Sequence, residues 1–291
     1  VTFKRVLGVL AAGILVGNVA LAARAPTLLT ELMEASKDQG WFKACPQIMA
    51  DIGDLKEPDD QASEEWRDYV MLKAGCLSEV YRDAEVVAFL KAKLVDGHRD
   101  PELLDFLGTS QLRLGKNVEA AATFEEALKG GLPDKAMKSV YGKLAIAYAK
   151  QASAGGKVPD QAVLVKAERY AKLAVENDPA GEAGADPMAL AQWGHVKLLQ
   201  QDYDEAIRLF DDALLKSASY PGWPSSAEIR KAMEAQFTLS LGQAHYRKGD
   251  KAYGEDLMNK AVEIAPTEKL KTVMRAIRDT TVKPAPDRPG A

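Results

Sequence analysis

The chain has 291 residues, enough for one large domain or two ordinary ones. Hydrophobic residues make up 47% and charged residues 27%, which supports a packed core and excludes wholesale disorder. The formal net charge is -4 with both signs mixed along the chain; nothing resembles the basic stripe that nucleic-acid binding requires, so partners are sought among proteins. Alanine and leucine dominate while β-branched runs are short, a balance that favours helices.

Residues 1–22 read as an export signal. Lys4 and Arg5 form a positive start, Val6 to Ala22 is apolar, and Ala20-Leu21-Ala22 is an A-x-A cleavage motif, so cleavage is expected between Ala22 and Ala23. The alternative is an uncleaved segment that anchors the chain in the inner membrane. No cysteine follows the apolar run, which argues against a lipoprotein anchor. The expected address is the periplasm of a Gram-negative bacterium, with no stable membrane insertion after signal cleavage.

Residues 23–98 carry two faint helix pairs. The first is Leu29-x2-Leu32-Met33, then Gly40, then Cys45-x3-Met49-x2-Ile52; the second is Met71-x2-Ala74-Gly75 followed by Val87-x3-Lys91-x2-Leu94. Cys45 and Cys76 are the two cysteines of the chain. In an oxidising compartment they suggest one disulfide; the other reading is two buried small residues. Spacing does not decide, because a bridge needs Cα atoms within about 7 Å.

Residues 99–266 repeat a clearer pattern. Leu104-x2-Leu107-Gly108-x2-Gln111 is followed by Gly115 and then Ala120-x3-Phe124-x2-Ala127. Leu190-x2-Trp193-Gly194-x2-Lys197 is followed by Ala206-x3-Phe210-x2-Ala213. Thr238-x2-Leu241-Gly242-x2-His245 is followed by Gly249, then Gly254-x3-Met258-x2-Ala261, closing at Pro266. The small residues keep one phase: 108 with 120, 194 with 206, 242 with 254. Two antiparallel helices joined by a tight turn must approach closely, and small residues at the crossing remove the side chains that would hold them apart. Gly115 and Gly249 fall where the turn needs a permissive backbone. A fourth copy pairs Tyr141-x2-Leu144-Ala145-x2-Tyr148 with Ala167-x3-Ala171-x2-Ala174, interrupted by a loop around Ser153 to Pro159.

This order of large, small and aromatic positions resembles the tetratricopeptide repeat (TPR) family. The resemblance implies an all-α fold, a right-handed α-solenoid of antiparallel helix pairs, each covering the apolar face of the next. A capping helix is expected over 267–282, where Leu270, Val273, Met274 and Ile277 share one face, followed by a disordered tail over 283–291.

The resemblance also implies a partner-binding groove on the first helices of the pairs, one and four residues on from the packing positions. The matching residues are Leu112, Ile146, Met188, His195, Leu198, Gln243 and Tyr246, within a wall that includes Thr109, Gly142, Ala149, Ala191, Gln236 and Leu239. The Lys, Asn and Arg clamp of chaperone-binding members is missing, so that activity is not carried over. A helix or an extended segment of an envelope protein suits the mixed wall. The other reading is that neighbouring repeats bury these side chains against each other. Tyr220 and Trp223, on a long linker, read as an anchor for a partner; the other reading is that Trp223 folds back to cap the neighbouring helices.

No chemistry is expected. His98, His195 and His245 are scattered, and neither HExxH nor CxxC nor G-x-S-x-G occurs, so no catalytic, cofactor or metal site is assigned. Gly115-Lys116 reads as a tight turn, and Glu125-Glu126 and Asp211-Asp212 as solvated acids. The implied function is a non-enzymatic periplasmic scaffold or adaptor of a cell-envelope assembly; the alternative is an accessory or regulatory subunit of an envelope enzyme or transport complex.

Overall fold

The structure, a computed structural model, describes residues 45–50, 56–95, 99–154, 158–178, 185–220 and 226–282. The expected signal segment, Leu29 to Gly40, His98, Trp223 and the 283–291 tail lie outside these residues.

All regular structure among the described residues is helical. A first compact unit, ending at Gly115, holds α1 (Glu64–Glu79), α2 (Asp83–Lys93) and α3 (Pro101–Arg113), preceded by helical residues 45–50. A second, starting at Lys116, holds α4 (Asn117–Lys129), α5 (Asp134–Ala152), α6 (Gln161–Glu176), α7 (Pro187–Leu199), α8 (Tyr203–Ser217), α9 (Ala227–Lys248), α10 (Lys251–Ile264) and α11 (Glu268–Val282).

How a helix is entered decides how it begins. Helices reached through a longer connection carry a side-chain cap: Ser63 accepts from the Trp66 N–H, Asp100 from Glu102 and Leu103, Asp160 from Ala162 and Val163, Asp186 from Met188, and Ser226 from Ile229. Pro101 and Pro187 occupy first-turn positions that need no donor. Helices α2, α8 and α10 follow tight turns and have no such cap. There the preceding residue is left-handed, with φ of 58° at Tyr81, 64° at Gln201 and 122° at Gly249. The next N–H then reaches back five residues, from Arg82 to Leu77, Asp202 to Lys197 and Asp250 to His245. One turn geometry thus serves three pairs, and it satisfies the orphan carbonyls of the finished helix. Gly115 has the same hand, at φ 74°, as the tight-turn reading of Gly115-Lys116 expects.

In the first unit α2 packs on both α1 and α3, which also touch each other. Cys45 and Cys76 form a disulfide with Cα atoms 5.1 Å apart, and both are buried. Glu57 accepts from Trp66 Nε1 at 2.8 Å and pairs with Lys93 at 2.6 Å. Arg67 pairs with Asp100 and with Glu102.

In the second unit the pairs are α5–α6, α7–α8 and α9–α10. Helix α4 packs on α5, α6 on α7, and α8 on α9, while α5 also touches α7. First helices α5, α7 and α9 form one layer and their partners another. Leu190, Phe210 and Phe237 are wholly buried between α7, α8 and α9. The last apolar face, around Met258 and Val262, is covered by α11, which buries Met274 and half-buries Leu270 and Ile277.

The small residues stand where the helices cross. A Cβ placed on Gly194 would lie 2.9 Å from the Phe210 ring. One placed on Gly242 would lie 2.7 Å from the carbonyl oxygen of Gly254, backbone against backbone. Gly108, Ala120, Ala145, Ala167 and Ala206 are also buried.

Candidate functional site

The first-helix layer of the second unit contains a cavity of about 370 Å³. Its walls are Ile146 from α5, Met188, His195 and Leu199 from α7, and Gln236 and Phe237 from α9. Ile146 and His195 each follow a crossing residue, Ala145 and Gly194, by one position, so they turn about 100° away from the pair interface. Met188 and Leu199 lie seven before and four after His195 and share its face of the helix. Lys150, exposed on α5, is the one charged side chain at the lining.

Three of the seven expected groove residues, Ile146, Met188 and His195, meet in this cavity. The other four do not. Leu198 is only 5% exposed and belongs to the core around Phe210. Leu112, in the first unit, is 9% exposed. Tyr246 is half-buried and donates from its hydroxyl to the Val282 carbonyl at 3.2 Å; Gln243 donates to the Thr281 hydroxyl at 3.0 Å. Helix α11 therefore occupies the wall at these two positions. For Leu198 the cause is helical geometry: it stands four residues after Gly194, a helical turn is 3.6 residues, and so it returns to the face that packs against α8. Leu199, Phe237 and Gln192, which sequence reasoning did not pick, also line the cavity. Leu199 and Gln192 were legible as one-turn neighbours of His195.

His195 is the polar centre of the site. Its Nε2 lies 3.3 Å from the Ser240 hydroxyl, and its ring meets Phe210 edge-on at 5.1 Å. Burial pushes the imidazole down to about 4, so it is neutral at neutral pH. His245 is elsewhere, beside Asp250 and Tyr253.

Two other expectations are refined. Glu125 is not simply solvated: it accepts from the Tyr148 hydroxyl at 2.7 Å and the Tyr170 hydroxyl at 3.1 Å, and the two rings stack at 5.9 Å. This cluster ties α4, α5 and α6 together around the interrupted pair. Tyr220 is half-buried, in the electrostatic neighbourhood of Lys138, which pairs with buried Asp178. No group of three or more His, Cys, Asp or Glu suited to a metal occurs among the described residues.

Antiparallel helix pairs that cross on small residues, several of them joined internally by one left-handed turn, define a helical-repeat protein. Residues 192–269 match the tetratricopeptide repeat model. The fold is shared with three solved structures. A thermophilic TPR protein of Thermus thermophilus is 18% identical, covering 73% of this chain and 97% of its own, with a TM-score of 0.52. PilW, a widely conserved type IV pilus biogenesis factor, is 16% identical, covering 86% and 98%, with a TM-score of 0.58. The Cut9–Hcn1 hetero-tetramer of the APC/C gives 13% identity, 89% and 47% coverage, and a TM-score of 0.58. No curated protein matches. Residues 192–269 thus resemble the tetratricopeptide repeat, and the chain shares the helical-repeat fold of these structures.

Proposed function

We propose that this protein is a non-enzymatic scaffold that holds a partner polypeptide on its first-helix layer, in the periplasm, as part of a cell-envelope assembly. The observation that carries the binding role is the cavity at Ile146, Met188 and His195. Repeat packing fills the crossings with Phe210, Phe237 and Met258 yet leaves this apolar surface open. The address is supported by the signal-like segment and by the Cys45–Cys76 bond, which an oxidising compartment maintains. Among the described residues no helix is long and apolar enough to cross a membrane. PilW, which shares the fold, is a type IV pilus biogenesis factor, and such a role is compatible with an envelope assembly of the proposed kind.

The test is cross-linking and co-purification from envelope extracts with wild type and an Ile146→Glu, Met188→Glu double variant. Loss of the captured partner with unchanged helical circular dichroism and melting temperature supports the groove. Equal capture by both proteins would place the binding surface elsewhere. For the compartment, thiol titration of unreduced, denatured exported protein should find no free thiol; two would remove the redox argument.

A further inference from the structure

The cavity also carries a statement about which side chain it receives, and this rests on the binding role just proposed. The Ser240 hydroxyl is 3.0 Å from the Gln236 carbonyl, four residues back on α9, and 3.3 Å from His195 Nε2. A serine hydroxyl has one hydrogen, and a carbonyl oxygen only accepts. Both contacts are hydrogen bonds at once in a single arrangement: Ser240 donates to Gln236, and His195 donates to Ser240 through Nε2–H. The neutral imidazole then has its lone pair on Nδ1. Nδ1 has no partner among the described residues, on a side chain that lines the cavity.

The site thus offers an apolar volume with an acceptor at His195 Nδ1 on its α7 wall and a second at the α5 end, the Ser153 hydroxyl, whose hydrogen goes to the Ala149 carbonyl. Gln192 and Gln236 add amides that both donate and accept, so they do not discriminate. A volume near 370 Å³ lies at the small end of ligand sites and suits one large side chain rather than a broad interface. We infer that the cavity takes the indole of a tryptophan in the partner polypeptide, with the indole N–H donating to His195 Nδ1. Tryptophan combines a large apolar body with a donor and no acceptor. Phenylalanine would leave Nδ1 desolvated and unpaired, and aspartate or glutamate would bring acceptors to an acceptor.

Two measurements test this. In wild-type protein, long-range proton–nitrogen NMR of the His195 ring should show Nε2 protonated and Nδ1 bare; the opposite tautomer overturns the inference whatever any variant does. Capped pentapeptides of glycine with a central tryptophan, 1-methyltryptophan or phenylalanine are then titrated while the Ile146 and Met188 methyl signals are followed. The tryptophan peptide should shift both methyls and bind about five- to tenfold more tightly than its N-methylated form, the range of one neutral hydrogen bond. His195→Phe, checked for an unchanged circular-dichroism spectrum, should remove that preference. Equal binding of the three peptides, or no shift with any, overturns the tryptophan assignment. The groove itself is judged separately, by the capture experiment with Ile146→Glu, Met188→Glu.

Discussion

Pairs α9–α10 and α5–α6 build the same unit by different means. In α9–α10 two glycines face each other, and the helices touch through backbone: Gly242 against the Gly254 carbonyl, Gly254 against the Tyr246 amide. In α5–α6 the crossing is made by Ala145, Ala167 and Ala171, all buried, and the glycine of α5 faces outward from the pair. A Cβ on Gly142 would meet Gln192 of α7, not α6. The interrupted pair replaces backbone contact with side-chain fastening: Glu125 with Tyr148 and Tyr170, and Lys138 with Asp178. It also caps α6 with Asp160, because the insert removes the tight turn that opens α8 and α10. A glycine crossing fixes how closely helices lie; polar fastening fixes which helices meet and tolerates a longer connection.

The largest effect is expected from acid, on α6 and α7, which pack on one another. Glu168, on α6, is opposed by burial, but hydrogen bonds from Lys172, Gln200 and Lys197 outweigh this and hold its carboxyl down at about 2, against an ordinary 4.5. His195, on α7, sits at about 4 against an ordinary 6.5 through burial. Both folded values are depressed, so both groups contribute stability at neutral pH that is lost on acidification. The His195 share, up to about 3 kcal/mol, disappears between about pH 6.5 and 4; the Glu168 share, smaller because solvent screens its partner Lys172, disappears between about 4.5 and 2. Urea midpoints measured across this range should fall in both windows. His195→Phe should flatten the upper window and leave the lower; a variant with the wild-type slope between pH 6.5 and 4.5 would contradict the assignment.

Next in size is Gly242→Ala. The added methyl would lie 2.7 Å from the Gly254 oxygen and 2.9 Å from the Met258 nitrogen, so backbone must move. Overpacking of this kind costs about 1–3 kcal/mol, and alanine's better helix propensity returns only about 1. A net loss of up to about 2 kcal/mol by denaturant unfolding is expected. A stability at or above wild type would mean the two helices do not touch through backbone.

Much of this was legible in the sequence, for a physical reason. Helix crossings exclude side chains, so small residues in phase at 194 and 206, and at 242 and 254, announce close approach, and Gly194, Gly242 and Gly254 meet atoms of the partner helix where expected. The left-handed turn was readable at Gly115 and Gly249, and hidden at Gln201 and Tyr81, where a side chain occupies the glycine conformation. The site was half legible. Residues one past the crossing, Ile146 and His195, were found because they turn off the packing face. Leu198 departs from the expectation because a four-residue step returns to that face. The coverage of Gln243 and Tyr246 by α11 depends on how the end helix docks, which no local pattern records.

Gly194→Ala tests the intermediate case. Its methyl would meet the Phe210 ring at 2.9 to 3.1 Å, and Phe210 is wholly buried, so the ring can shift by tenths of an ångström but not leave. With the helix-propensity gain set against that strain, a loss of about 1 kcal/mol is expected. A larger loss than Gly242→Ala would reverse the ranking of backbone over side-chain contact.

The smallest effect should come from Gly142→Ala, and its sign is the sharpest discriminator between the two regions. The nearest obstacle is the Gln192 amide oxygen at 2.5 Å, but this is the far end of a flexible side chain that faces an open cavity. Rotating Gln192 relieves the contact without moving backbone. Alanine in a helix interior is favoured over glycine by about 1 kcal/mol, so the net change should lie between zero and about +1 kcal/mol of stabilisation. Denaturant midpoints for the three glycine-to-alanine variants should therefore rank 142 above 194 above 242. Because Gln192 lines the cavity, the same substitution should perturb the Met188 methyl signal while leaving that of Met258, in the α9–α10 crossing, unmoved. Destabilisation by more than about 1 kcal/mol would show that Gln192 is held in place, making Gly142 as demanding a crossing as those of the regular pairs.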